Sequence, residues 1–176
     1  MKVLLRNINK ANCPASAQVD DRAFVFLREA TDDDMPLVMA WRSNPLVWEG
    51  YYSQKRPLEW QEHRTWWQSR NADWKKFIIM LIEDDFARPV GMVHIGQMDN
   101  WSPEIGYTIG EISLWGRGIG REAIKQSCEW LKDKGFKYAH TTILNENMRS
   151  IRLVESLGFK NVCKAREGES RFEKEL

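Results

Sequence analysis

The chain has 176 residues, 43% of them hydrophobic and 29% charged, with a formal net charge of +1. That composition describes one globular domain and excludes a disordered or fibrous chain. The near-neutral balance lacks the basic surplus of a nucleic-acid-binding domain, no apolar run approaches the ~18 residues that cross a bilayer, and Val3-Leu4-Leu5 is too short for a signal-peptide core, so a cytoplasmic location with no nucleic-acid or membrane partner is expected.

Residues 1–22 are polar and aperiodic and read as an N-terminal extension, with the folded domain over 23–176. A first strand is expected over Phe24–Arg28. Thr31-Asp-Asp-Asp34 then supplies capping oxygens for a helix carrying Met35, Val38, Met39 and Arg42, with Asp32 or Asp33 as the cap because Pro36 belongs in the first turn. Asn44-Pro45 ends it. A second helix runs from about Pro57 to Arg70, with Trp60, His63 and Trp67 on one face. Strands follow over 77–82 and 90–95, joined by a turn at 84–89, and a third over Glu104–Ile109. Beyond a glycine-rich loop come a helix over 120–134 ending at Gly135, a strand over 136–143, and a short helix over 147–157 ending at Gly158. Strands over 159–165 and 170–176, around a turn at 166–169, close the chain. The fold class is α/β: a mixed, mostly antiparallel sheet of about seven strands flanked by about four helices.

Cys13, Cys128 and Cys163 are far apart, and none falls in a metal-ligand spacing, so reduced thiols and no metal are expected. Six of the nine tryptophans (Trp41, Trp48, Trp60, Trp66, Trp67, Trp74) crowd one early stretch. They either fill a core or present flat surfaces to a ligand.

The loop Trp115-Gly116-Arg117-Gly118-Ile119-Gly120-Arg121 joins a strand to a helix. Alternate glycines let amide groups converge, the helix N-terminus adds positive potential, and Arg117 and Arg121 can bond phosphate oxygens. A Walker loop needs Gly-Lys-Ser/Thr at its end, and the dinucleotide fingerprint needs Gly-x-Gly-x-x-Gly; neither is present. About 27 residues past Gly120 stands Asn147-Met-Arg-Ser150-Ile151, followed by Glu155-Ser-Leu-Gly158-Phe159. Loop and segment, in this order and spacing, resemble the GNAT superfamily of N-acetyltransferases over roughly residues 24–176.

The resemblance implies acetyl-CoA as co-substrate and a small-molecule amine as acceptor, with association of two copies left open. By position, Trp115, Gly116, Arg117, Gly118, Ile119, Gly120 and Arg121 would hold the CoA pyrophosphate. Tyr107, Thr108, Ile109 and Gly110 would offer backbone groups to the pantetheine arm, and Asn147 would bond it or cap the short helix. Trp115 stands where the family usually has Gln or Arg, a variant that resembles ribosomal-protein N-terminal acetyltransferases and amino-sugar acetyltransferases. The tyrosine that the family often uses as general acid is Val154 here. Glu104, on the strand expected to flank the acetyl group, is the candidate catalytic base or else a solvated carboxylate; His63 and His140 are weaker candidates. For the acceptor, Trp41-Arg42-Ser-Asn-Pro45 and Glu62-His63-Arg-Thr-Trp66-Trp67 resemble enzymes that acetylate nucleotide-linked amino sugars, including the pseudaminic-acid pathway enzyme. This nominates Trp41, Arg42, His63, Trp66 and Trp67 as substrate residues. Between Thr31 and Asn71 six acidic residues face five basic ones, without the acidic excess a polycation would favour. Two other readings stay open: a protein N-terminal acetyltransferase, and a non-catalytic CoA-binding module whose cleft the tryptophans fill.

Overall fold

A computed structural model describes residues 3–4, 17–20, 23–51, 54, 56–69 and 74–176. The described residues form nine strands and five α-helices, more than the seven and four expected from sequence. The additions are short. Two strands, β1 (Val3–Leu4) and β2 (Ala17–Asp20), lie inside the stretch read as an extension. β2 pairs antiparallel with β3 (Ala23–Glu29), so that part of the extension belongs to the sheet. Cys13 and the 11–16 loop lie outside the described residues.

The first helix, α1 (Met35–Arg42), is preceded by a 3-10 turn over Asp32–Asp34. Asp34, not Asp32 or Asp33, stands at the N-cap of α1, but its carboxylate caps the 3-10 turn instead of the helix: it accepts from the Thr31 amide at 2.8 Å and pairs with Arg28 at 2.7 Å. Asn44 does end α1, and its side chain accepts from Leu46 N–H at 3.1 Å to start a one-turn helix, α2 (Pro45–Trp48). α3 covers Trp60–Ser69, and Arg70 lies outside the described residues.

β4 (Lys75–Glu83) and β5 (Phe86–Gly96) meet through Asp84 and Asp85, both with positive φ. That is the two-residue turn whose twist suits a hairpin, so both strands run longer than the sequence pattern shows. β6 (Glu104–Ile109), α4 (Ile119–Asp133), β7 (Tyr138–Leu144), α5 (Met148–Ser156), β8 (Lys160–Arg166) and β9 (Glu169–Glu175) follow within a residue or two of expectation, and a further 3-10 turn lies at Ile112–Leu114. The sheet order is β2-β3-β4-β5-β6-β7-β9-β8, with β1 beside β5.

Strand alternation feeds two cores. On one face, Phe77, Ile79, Leu81, Val93, Ile95 and Ile105 pack with Ile124, Cys128 and Leu131 of α4. On the other, Ile78 and Met92 pack with Val38 and Trp41 of α1 and Trp67 of α3. Cys128 is buried, which pushes its thiol up to about 11 and fits a reduced structural cysteine. Among the described residues no helix is long and apolar enough to cross a membrane.

Candidate active site

The site begins with a fault in the sheet. β6 and β7 are parallel neighbours, yet they pair only at Glu104↔His140, where the His140 amide also donates to the Pro103 carbonyl at 2.9 Å. Beyond that point the strands part. The slit between them opens into a cavity of about 940 Å³, walled by Tyr107, Thr108 and Ile109 of β6, Leu144 at the end of β7, the first turns of α4 and α5, and α2 with the residues after it.

At one end stands the glycine loop. Gly116 and Gly118 have φ of 85° and 81°, a region in which a Cβ is strained by about 1–2 kcal/mol, and Gly118 occupies the N-cap of α4 with no capping side chain. The first-turn amides of α4, around Ile119, Gly120 and Arg121, therefore face the cavity with the positive end of a 15-residue helix behind them. Trp115 explains its own presence: its indole N–H donates to the Ile109 carbonyl at 2.9 Å, closing the end of β6, while Arg149 of α5 lies 4.2 Å over the ring. Arg121, Arg149 and Arg152 line the same space. This is an anion site of a kind that suits a pyrophosphate.

All the residues expected to hold the co-substrate line this cavity except two. Arg117 turns away and pairs with Glu83 at 2.6 Å, which also holds Arg88 at 3.4 Å. Gly110 lies beneath the Trp41 indole, where an added Cβ would come within 2.0 Å of the ring. Asn147 caps α5, accepting from the Ser150 amide at 3.2 Å, and it also lines the cavity.

On β6, side chains alternate across the slit. Tyr107 lies on the α4 side, its hydroxyl donating to Ser150 Oγ at 3.0 Å and its ring 3.0 Å from where a Cβ on Gly120 would stand. Glu104, Gly106 and Thr108 face the α1–α3 side. There the Tyr51 hydroxyl bonds Thr108 Oγ, and the Arg42 guanidinium lies 5.6 Å over Tyr51 and 4.0 Å over Trp66.

The expected acceptor residues divide. Trp41 and Trp67 are core, 5% and 3% exposed, each with its indole N–H bonded: to Glu111 at 3.3 Å and to Asp32 at 2.8 Å. His63 is fully buried; its Nε2 donates to the Met35 carbonyl at 3.0 Å, and burial followed by the nearby Arg42 charge pulls its pKa down to about 4. It is a neutral packing residue stacked 5.5 Å from Trp66. Arg42 and Trp66 do not line the cavity either; the Arg42 guanidinium lies over the rings of Tyr51 and Trp66, and of these three residues only Tyr51 is on the cavity wall.

Glu104 stands at the closed end of the slit, off the cavity wall, with its carboxylate accepting from the Gln97 amide at 3.0 Å. His140, also at that end, is buried on the Ser102 carbonyl at 2.8 Å, and burial lowers its pKa. Sequence reasoning missed two residues here. One is Tyr51. The other is His94, whose ring lies on Gly106 (an added Cβ would come within 2.1 Å of Nε2), between Glu104 and Thr108 on the α1–α3 face. The signal for His94 was the alternation of β5 against β6, which needs the register to be read. Among the described residues no cluster of His, Cys, Asp and Glu could hold a metal.

Comparison with known proteins agrees with this geometry. The family model of the acetyltransferase (GNAT) domain matches residues 25–160. An uncharacterised protein of Methanocaldococcus jannaschii is 46% identical over 170 residues, 96% of this chain but 34% of that protein, so the chain spans about a third of its relative's length. A crystal structure of a domain from the same organism is 47% identical, with a TM-score of 0.85 over 88% of this chain and 99% of that one. Spermidine N-acetyltransferase from Vibrio cholerae, solved with CoA and spermine, shares the fold at 16% identity, with a TM-score of 0.71 over 86% of this chain and 95% of that one. A family match that spans most of the chain, loop and splayed strands included, decides the matter: the chain belongs to the GNAT acetyltransferases.

Proposed function

We propose that this domain transfers the acetyl group of acetyl-CoA to a primary amine on a nucleotide-linked amino sugar. The observation that carries the acceptor class is the Arg42 guanidinium, 4.0 Å over the Trp66 ring and 5.6 Å over that of Tyr51, on the face of β6 opposite the pyrophosphate loop. A guanidinium beside aromatic faces suits a diphosphate joined to a flat base. A polycation would instead need a clear acidic surplus there, and between Thr31 and Asn71 six acidic residues stand against five basic ones.

In this reading the α4 amides and Arg121 hold the pyrophosphate, and the unpaired edge of β6 receives the pantetheine amides. Backbone N–H groups there also face the oxyanion of the tetrahedral intermediate. The amine attacks the thioester carbon directly, and Glu104 accepts its proton through water along the Glu104–Gly106–Thr108 face. A protein N-terminal acetyltransferase is the second reading, favoured by Trp115 in the loop. The non-catalytic reading needs tryptophans in the cleft, whereas Trp41 and Trp67 are core and the cavity stands open.

The test is a panel of amines with acetyl-CoA, following release of the CoA thiol: UDP-glucosamine, spermine, kanamycin and a Ser-Ala dipeptide. Preferred turnover of UDP-glucosamine, with Arg42→Ala raising its KM and not that of acetyl-CoA, supports the proposal. Preference for spermine or the dipeptide refutes the acceptor class.

A further inference from the structure

We infer that Tyr51 is the catalytic acid of this domain, the group that protonates the departing CoA thiolate. The inference rests on the acetyl-transfer reading above. Where the family often has a tyrosine, this chain has Val154, fully buried among aliphatic neighbours and without a proton to give.

The wall of the cavity contains two phenols and, among its described residues, no Cys, His or Lys. A phenol is neutral at pH 7 yet acidic enough to surrender a proton to a thiolate within a closed site. Tyr107 is committed to the pyrophosphate side: its ring underlies Gly120 and its hydroxyl donates to Ser150. Tyr51 is on the other side, its hydroxyl bonded to Thr108.

The topology gives this difference its meaning. The anion site is on the α4 face of the sheet, and the Arg42–Trp66 surface is on the α1–α3 face. Two substrates entering from opposite faces can meet only in the slit where β6 and β7 part. Thr108 and Tyr51 bound that slit on the acceptor side, so the breaking C–S bond belongs beside them. Burial raises the Tyr51 pKa, which keeps the proton in place until the thiolate forms.

The step balances as follows. The amine nitrogen bonds to the thioester carbon, the tetrahedral intermediate collapses, and the C–S electron pair leaves on sulfur. The Tyr51 O–H proton passes to that sulfur, giving the CoA thiol and a transient phenolate. The Thr108 hydroxyl bonded to Tyr51 relays a proton back from solvent, while the proton of the attacking nitrogen leaves towards Glu104. The Arg42 charge over the Tyr51 ring steadies the phenolate meanwhile.

The experiment compares wild type, Tyr51→Phe and Thr108→Val with acetyl-CoA and the panel amine turned over fastest. Tyr51→Phe should lower kcat about 100-fold, within the range a positioned proton donor contributes. The KM for acetyl-CoA should stay within about twofold, and the solvent deuterium isotope effect on kcat should change. Thr108→Val, which keeps the phenol and removes the relay, should lower kcat about tenfold. An active wild type with Tyr51→Phe within threefold of it overturns the role of Tyr51 alone. A wild type that binds acetyl-CoA but releases no thiol with any amine overturns the acetyl-transfer reading and Tyr51 with it. Should Tyr51→Phe not fold, an unchanged kcat in Thr108→Val is the overturning result.

Discussion

Trp67 is where a ligand-facing role and a structural role make opposite quantitative demands. Its ring is 3% exposed, packed with Val38, Trp41, Ile78 and Met92. Its indole N–H donates to Asp32 at 2.8 Å, its carbonyl accepts from Lys76 Nζ at 2.8 Å, and that ammonium lies 5.1 Å over the ring. Truncating a buried tryptophan to alanine costs about 3–5 kcal/mol. In a domain of this size each kcal/mol moves the melting temperature by about 2–4 °C, so Trp67→Ala should lose about 6–20 °C. Trp67→Phe keeps most of the packing and gives up one hydrogen bond, about 1 kcal/mol, and should lose about 2–4 °C. Thermal unfolding beside the KM of both substrates measures all of this, and the folded fraction should keep wild-type KM values. A Trp67→Ala protein melting within about 3 °C of wild type with a tenfold higher acceptor KM would show that the ring is a substrate wall and that the core assignment is mistaken.

Acetyl-CoA should raise the melting temperature by binding only the folded state, and Gly118→Val should erase that rise, because a branched side chain at φ 81° distorts the loop; stabilisation by NAD or ATP in place of acetyl-CoA would contradict the site. Glu104→Gln should lower kcat about 100-fold near pH 7 and less at pH 9, where free amine is abundant, with the acetyl-CoA KM unchanged; a fully active variant would transfer the base to His94. His63 resists protonation until about pH 4, whereas its unfolded form takes a proton near pH 6.5. Below pH 6.5 the unfolded chain therefore binds more protons, and stability should fall by up to about 2 kcal/mol by pH 5, with His140 acting in the same direction. Urea denaturation at pH 7 and pH 5 measures this fall, and an identical fall in His63→Gln would clear His63 of it.

Local features were readable from the sequence because they depend on local rules. The alternation in β6, the φ-tolerant glycines of the loop and the Asn147 cap each follow from a few consecutive residues, and the structure has them where expected. Pairings at long range were not readable. Arg117 looked like a phosphate ligand because it sits in the loop, but a carboxylate 34 residues earlier, Glu83, claims it. The His63–Trp67 face looked like a cleft lining because an aromatic helical stripe is the same whether it meets a sheet or a ligand. Only the packing of α3 distinguishes the two: Trp67 is buried against Ile78 and Met92 of the sheet and His63 against the Met35 carbonyl of α1. Tyr51 carried no motif at all; its bond to Thr108 joins residues 57 apart. β8, whose seven residues are all exposed, lacks the buried face that normally marks a strand, yet Phe159 and the hairpin glycine fixed its position.

The parting of β6 from β7 after one shared rung leaves a length of main chain from Ile105 to Ile109 bonded to β5 on one edge and open on the other. Recognition through such an edge is written in amides and carbonyls, which every residue but proline supplies alike. The side chains along it are therefore released from that recognition and serve other ends: Ile105 in the core, Tyr107 bonded to Ser150 and Thr108 bonded to Tyr51. An alanine scan of this strand would pass over the edge almost silently, and proline substitution at the open-edge positions is the change that would make it visible.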